Sequence, residues 1–396
     1  MNGKREIVIV DGLRTPYGSF GGSLKDLSAT ELAIESSKAL MKRTGISPGN
    51  VEHVILGNVI QTSPDAAYLS RHVGLECDIP VDVPAVTINR LCGSGFETII
   101  QAARHIILGE EDVILAGGTE SMSQAPHVVW GARWGDMRLS NGEMVDVLWT
   151  ALTDSYCGCS MAETAENLAA QYNISREACD EYAYRSQMAA HAAWEEGRMQ
   201  EETFPMTIQT RKGNRTLHKD EHIRPDTSRE KLAQLSPYFS KDGRVTAGNA
   251  SGICDGSASV IVTSAERAER EGWEPVGRLH GWGVAGVEPS IMGIGPVAAS
   301  QRVFENTGFT LDDMALVEVN EAFAPQYLAV EKELGLDREI TNVNGGAIAV
   351  GHPLGSSGTR LTITLLKELK RRNERYGLAT ACIGGGQGAA VIVEAL

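Results

Sequence analysis

The chain has 396 residues, 42% hydrophobic and 22% charged, with a formal net charge of −15 at pH 7. This is the balance of a soluble globular protein, and its acidity excludes the broad basic surface that nonspecific nucleic-acid binding requires. No apolar run approaches the ~18 residues of a membrane span, and the length exceeds one ordinary core, so two or three cooperating units are expected.

The N-terminus, MNGKREIVIVDG, runs into a strand without a hydrophobic signal core or a Ser/Arg-rich transit pattern. Seven cysteines, an odd number thinly spread, imply no disulfide framework. Together these features predict an intracellular, reducing, cytoplasmic setting. The 43 glycines exceed the average usage of roughly 7% and cluster beside reactive residues, which suggests close backbone approach rather than linkers.

Short β-branched runs bounded by Gly, Asp or Ser predict strands at 5–10 (REIVIV), 51–57 (VEHVILG), 113–118 (VILAGG) and 258–264 (ASVIVTS). Between the first two, LSATELAIESSKALMKRTG predicts a helix, with Ser28 and Glu31 as a capping box and Gly45 as its stop. INRLCGSGFETII (88–100) then places Cys92 before an apolar helix carrying Phe96, Ile99, Ile100, Ala103 and Ile107. A thiolate there is favoured by the helix dipole, although an inert core thiol fits the same place.

Residues 122–247 fit a different pattern. They hold two helices, TAENLAAQY and REACDEYAYRSQMAAHAAW, and little strand. In the segment 205–245, Arg211, Lys212, Arg215, Lys219, Arg224, Arg229, Lys231, Lys241 and Arg244 outnumber the acids, which by charge alone reads as a solvated loop face. Cys157 and Cys159 form a C-x-C pair with no second pair at metal-ligand spacing, so no structural metal is expected.

The second half repeats the first. PVGRLHGWGV, LVEVNEA, TNVNG, LATACIGG and AAVIVEAL are strand-like, and QRVFENTG, QYLAVEKELG and TRLTITLLKELKRR are helical. Such alternation predicts α/β layers over a mostly parallel sheet. LCGSG, an apolar helix and VILAGG find a counterpart in LGSSG, an apolar helix and LATACIGG, a weak sign of duplication.

Three further segments carry possible chemistry. NGGAIAVGHPLGSSG fixes His352 between Gly351 and Pro353, suited to a general base. CIGGGQG ends a strand at Cys382 and exposes the N–H groups of Gly384, Gly385 and Gly386, suited to an oxyanion. VNEAFAPQ sets Asn320 and Glu321 between a strand and a helix. The G-x-G-x-x-G spacing of Gly281, Gly283 and Gly286 lacks a following helix and ribose acid, so it is no dinucleotide site; Gly93-Ser94-Gly95 is too short for a serine-hydrolase elbow.

NRLCGSG, VNEAFA, GGAIAVGHPLGSSG and CIGGGQG, in this order, resemble the four active-site segments of the thiolases. GGTESMSQAP, TAENLA, GNASGICDG and SIMGIGP extend the resemblance to nearly the whole chain, closer to the 3-ketoacyl-CoA thiolase branch than to the acetoacetyl-CoA branch. The resemblance implies a five-layered αβαβα fold of two similar halves: residues 1–121, completed by 248–272, and residues 273–396. An inserted, CoA-binding loop domain spans 122–247. It implies an acyltransferase that cleaves 3-ketoacyl-CoA with CoA, or runs the reverse Claisen condensation.

By the same resemblance, Cys92 takes the acyl group, His352 accepts its proton and Cys382 moves the proton at the acetyl α-carbon. Asn320 holds a water that, with His352, stabilises the thioester enolate, and the N–H groups of Cys92 and Gly384 form a second oxyanion site. Arg224 lies near the adenine end of CoA, Leu152 and Ser251 line its channel, and Met161, Met292, Ala322 and Phe323 border the pantetheine and acyl pocket. CoA enters as co-substrate, with no tightly bound cofactor, no metal, no nucleic-acid or membrane partner, and a homodimer or homotetramer as the assembly. One position departs from the biosynthetic thiolases: Ser160 stands where they carry a histidine before Met161, and no site is transferred to it. Two rival readings are a ketoacyl-synthase-like acyltransferase and an inactive CoA-binding scaffold.

Overall fold

The computed structural model describes residues 5–134, 137, 141–210 and 213–396. Arg211 and Lys212 of the basic segment lie outside the described residues, as do 1–4, 135, 136 and 138–140.

The strands of the first half are β1 (Ile7–Arg14), β2 (His53–Gly57), β3 (Ala85–Ile88), β4 (Val113–Ser121) and β5 (Cys254–Ser264). Those of the second are β6 (Gly277–Gly286), β7 (Leu316–Val319), β8 (Tyr376–Ile383) and β9 (Gln387–Ala395). They form one sheet in the order β7-β8-β9-β6-β1-β5-β4-β2-β3, with Gly18–Ser19 added beside β5. The halves join where β1 and β6 pair over Ile7–Ile9. Each half reads outward from that seam in the same way, two antiparallel neighbours and then a parallel pair, which is the duplication suggested by the sequence.

The sheet is therefore mixed rather than mostly parallel. Eight neighbouring pairs include five antiparallel ones. The alternation rule fails because β8 and β9 are joined by a tight turn with no crossover helix, and because β5 returns from the long excursion of 122–253 to lie between β1 and β4. TNVNG is not a strand either: only Thr341 bridges, to Val317.

Helices layer around this sheet. α1 (Ala29–Thr44) carries the expected capping box between Ser28 and Glu31 and ends on left-handed Gly45. With α2 (Leu69–Glu76) it covers the outer face of the first half. α3 (Ser94–Leu108) lies inside, and in the excursion α4 (Met161–Gln171) and α5 (Arg176–Glu195) follow. The second half adds α6 (Gly295–Thr307) and α7 (Ala324–Leu334) on its outer face and α8 (Leu354–Arg372) inside. α3 and α8 each pack on strands of both halves, so the order is helix, sheet, helix, sheet, helix.

The central layer sets the geometry of everything else. Phe96, Ile99, Ile100 and Ile106 of α3 are fully buried, each worth about 1.5–3 kcal/mol of apolar burial. α3 and α8 cross near their N-termini with almost no separation: a Cβ on Gly95 meets Thr359 N at 2.5 Å. The LCGSG and LGSSG turns thus start two helices at one point in space. Glycine is required there because the neighbour is backbone and has nowhere to rotate. Gly95→Ala is expected to lower unfolding stability by about 1–3 kcal/mol, read from a urea titration, and to lower activity with it.

Candidate active site

The residues before α3 fold into a strained turn. Asn89 Oδ1 accepts from Leu91 N at 2.9 Å, and Ser94 Oγ accepts from Arg90 N and donates to Leu91 O. Leu91 is held at φ 48°, a left-handed conformation costly for a side chain with a Cβ. The turn aims Cys92 into a cleft of about 160 Å³ whose wall is mainly apolar. The backbone N–H groups of Gly384 and of Cys92 itself lie near the sulfur and favour the thiolate; burial overrides them and pushes the thiol up to about 11. The helix dipole invoked from sequence does not leave a resting thiolate here, because desolvation outweighs it.

His352 faces the same cleft. Its Nδ1 lies 2.6 Å from Ser357 Oγ, and that hydroxyl donates to Pro353 O at 2.9 Å. Ser357 therefore has only its lone pairs left for Nδ1, which must carry the proton. Nε2 is left as the free base, with the Asn320 amide donating to it at 3.3 Å. Burial, aided by Arg360, pulls the imidazole down to about 3, so the ring stays neutral through the physiological range.

Asn320 is fully buried at the end of β7, its N–H bonded to Thr380 O, and its Oδ1 has no hydrogen-bond partner among the described residues. The adjacent Glu321 fixes this turn from the excursion: Tyr182 and Ser186 of α5 donate to its two oxygens at 2.7 and 2.6 Å, joined by Asn342 and the N–H of Ile348. Cys382, also fully buried, packs with Met292 and Ala322 and is close enough to Cys92 to feel its charge; burial holds its thiol well above the ordinary value. Gly385 and Gly386 turn at φ 79° and 80°, which frees Gly384 N for Cys92.

Leu152, Met161, Ser251, Met292, Ala322 and Phe323 line the cleft with Cys92 and His352. Ser251 N bonds Ala322 O, and Ala250 bridges to Phe323, so GNASG runs against the VNEAF turn. Arg224 is not in this cleft. It borders a separate one of about 260 Å³ with His222, Asp226, Lys231 and Gly248, and makes no ion pair among the described residues. Several other basic side chains of that segment are spent locally: Arg229 on Glu181, Lys231 on Asp226, Lys219 on Glu195.

Sequence reasoning missed Ser357, and missed Trp149 and Phe239, which stack with ring centroids 6.0 Å apart on the cleft wall. Ser357 had a readable signal, five residues after His352 at the start of a helix. Ser160 lines the cleft too, but its Oγ serves Glu163 in a capping box at the start of α4. At the far end of α3, Glu111 joins His53 and His105 through their Nδ1 atoms at 3.2 and 2.8 Å; both nitrogens are satisfied by the carboxylate without an ion.

Profiles of the thiolase N-terminal and C-terminal domains match residues 7–266 and 273–395. The chain belongs to the thiolase family. It is 52% identical over 390 residues to human mitochondrial 3-ketoacyl-CoA thiolase, covering 98% of each chain. It is 46% identical to an acetyl-CoA acetyltransferase of Syntrophomonas wolfei, covering 99% of this chain and 100% of that one. The crystal structure of the human mitochondrial enzyme superposes with a TM-score of 0.97 at 51% identity, covering 99% of both chains, and its complex with CoA does so at 0.96. This thiolase has the fold and the acyltransferase class of that family.

Replacing Ser357 by Ala removes the acceptor that fixes the His352 tautomer. The expected outcome is a kcat lower by about 10–100-fold with KM for CoA little changed, as for other supporting groups behind a reacting imidazole. Steady-state kinetics read both.

Proposed function

We propose that this thiolase transfers acyl groups between CoA thioesters, cleaving 3-ketoacyl-CoA with CoA to acetyl-CoA and a shortened acyl-CoA. The observation that carries the reading is the meeting of Cys92 and His352 in one apolar cleft, with Cys382 packed against its Met292 and Ala322 wall and near enough to Cys92 to feel its charge. His352 Nε2 takes the Cys92 proton as the sulfur attacks C3 of the ketone. The C2–C3 bond breaks, its electron pair passes into the thioester enolate, and Cys382 protonates C2 to release acetyl-CoA. The thiol of CoA then gives its proton to the Cys382 thiolate and attacks the acyl-Cys92 thioester. Cys92 leaves and recovers its proton from His352.

Each charge in this cycle appears in a buried site, so fixed donors matter more than in water. Burial holds the thiol and imidazole neutral at rest, and their proton exchange creates both charges in one step. Cys92 N and Gly384 N would receive the oxygen on the attacked carbonyl. Asn320, through a water and beside His352, would receive the enolate oxygen. Arg224 and the second cleft would take the phosphorylated nucleotide end of CoA, with 122–247 as a CoA-binding loop domain inserted between the halves.

A homodimer or homotetramer is proposed on the edge strand β3, which leaves Val86 exposed, with Leu75 and Val81 exposed in the chain just before it. Seven free cysteines fit a reducing compartment, and we propose the cytoplasm. The mitochondrial names of relatives at about 50% identity favour the other location, and fractionation of the source cells decides between them.

A second reading, acetyl transfer confined to acetoacetyl-CoA, is favoured by the relatives named acetyl-CoA acetyltransferase. CoA-dependent cleavage of 3-ketoacyl-CoA substrates from C4 to C16 tests both. Wild type is expected to cleave several lengths and Cys92→Ala none. Activity at C4 alone selects the second reading. Cleavage of none selects the inactive scaffold, and activity with carrier-protein thioesters alone selects the synthase-like alternative. Asn320→Ala is expected to lower kcat about 10²–10³-fold, the usual effect of losing one donor to a developing oxyanion.

A further inference from the structure

We infer that Glu120 is a positioning residue of the active site, a carboxylate of the first half that caps the helix carrying the general base of the second. The inference rests on the reading that His352 activates Cys92. Glu120 stands at the C-terminal end of β4 and is fully buried. Its Oε1 accepts from Ile60 N at 2.9 Å and Asn58 Nδ2 at 3.0 Å; its Oε2 accepts from Gly355 N at 2.9 Å and Val59 N at 3.2 Å. Four donors from two separate segments thus meet on one side chain.

The bond to Gly355 is the informative one. A helix leaves its first N–H groups without internal partners, and these are normally met by a side chain at the N-cap. The N-cap of α8 is Pro353, which offers none. Glu120 supplies the missing acceptor from another strand, and its charge suits the positive end of the helix. The backbones approach so closely here that a methyl on Gly118 would overlap Gly355 O.

This first turn of α8 bears Ser357, the group that holds Nδ1 of His352, and begins two residues after His352. The other three donors of Glu120, from Asn58, Val59 and Ile60, belong to the loop after β2, and Val59 and Ile60 pack in the same apolar cluster as Cys92. The carboxylate therefore ties the wall on which Cys92 packs to the turn that aims its base. Burial pushes the Glu120 carboxyl up to about 7 despite these donors, and its charge raises the Cys92 thiol further. A bare structural anchor could be satisfied by an uncharged group, whereas a trans cap on four donors needs an acceptor with two oxygens.

The test compares full-length wild type, Glu120→Gln and Glu120→Asp at pH 8, above the range in which Glu120 gains a proton. Three quantities are read: kcat and KM with a 3-ketoacyl-CoA and CoA, the rate of Cys92 alkylation by iodoacetamide per folded molecule, and the unfolding midpoint. Glu120→Gln is expected to lower kcat and the alkylation rate together by about 10–100-fold, with KM nearly unchanged and partial recovery in Glu120→Asp. A lower unfolding midpoint with both rates at wild-type values overturns the inference. If Glu120→Gln does not fold, Glu120→Asp decides alone: slowed alkylation supports the inference and a wild-type rate overturns it. Alkylation needs no 3-ketoacyl-CoA, so slowed alkylation alongside a wild type that cleaves no such substrate supports this inference while defeating the proposed reaction.

Discussion

The contact between the N-termini of α3 and α8 is the constraint on which the site depends. Two helices that begin at the same place bring Cys92, two residues before one, beside His352, two residues before the other. Their approach is closer than any side chain permits, which is why Gly95 and Gly358 face each other's backbone. Duplication of one half would place two such helix starts about a shared axis, and the divergence of LCGSG from LGSSG then gives a nucleophile on one side and a base on the other.

Around this point the dominant force on charge is desolvation. It raises both thiols and the Glu120 carboxyl against N–H groups that favour their charged forms, and with Arg360 it lowers the imidazole. The two thiols and the imidazole are therefore neutral at rest and polarisable in use. The site's fixed N–H groups and oriented amide stand where charge develops in the proposed reaction, and the apolar wall keeps water from screening them.

The excursion between β4 and β5 contributes more than a cover. Tyr182 and Ser186 hold Glu321, which holds the Asn320 turn, and Arg14 of β1 is buried against Asp220 and Glu202 at 2.7 Å each. Removing one partner from a buried pair of this kind costs several kcal/mol, so the excursion is bound tightly to the body it crosses. Among its described residues several cations are consumed in local pairs, whereas Arg224 borders its cleft without one.

The sequence by itself determined the repeated half, the capped first helix, and the four segments that hold Cys92, Asn320, His352 and Cys382, because glycine spacing, capping and hydrophobic period are local properties. It gave the wrong balance of parallel and antiparallel strands, since pairing depends on where a distant segment returns. It was silent on Ser357 as the tautomer-fixing partner, on Glu120 as a cap for a helix more than two hundred residues away, and on the Trp149–Phe239 stack. It also left Cys92 with a dipole-favoured thiolate, where burial in the assembled core raises the thiol instead. Those properties arise from distances between residues remote in the chain and from the water that packing excludes, and only the tertiary structure decides them.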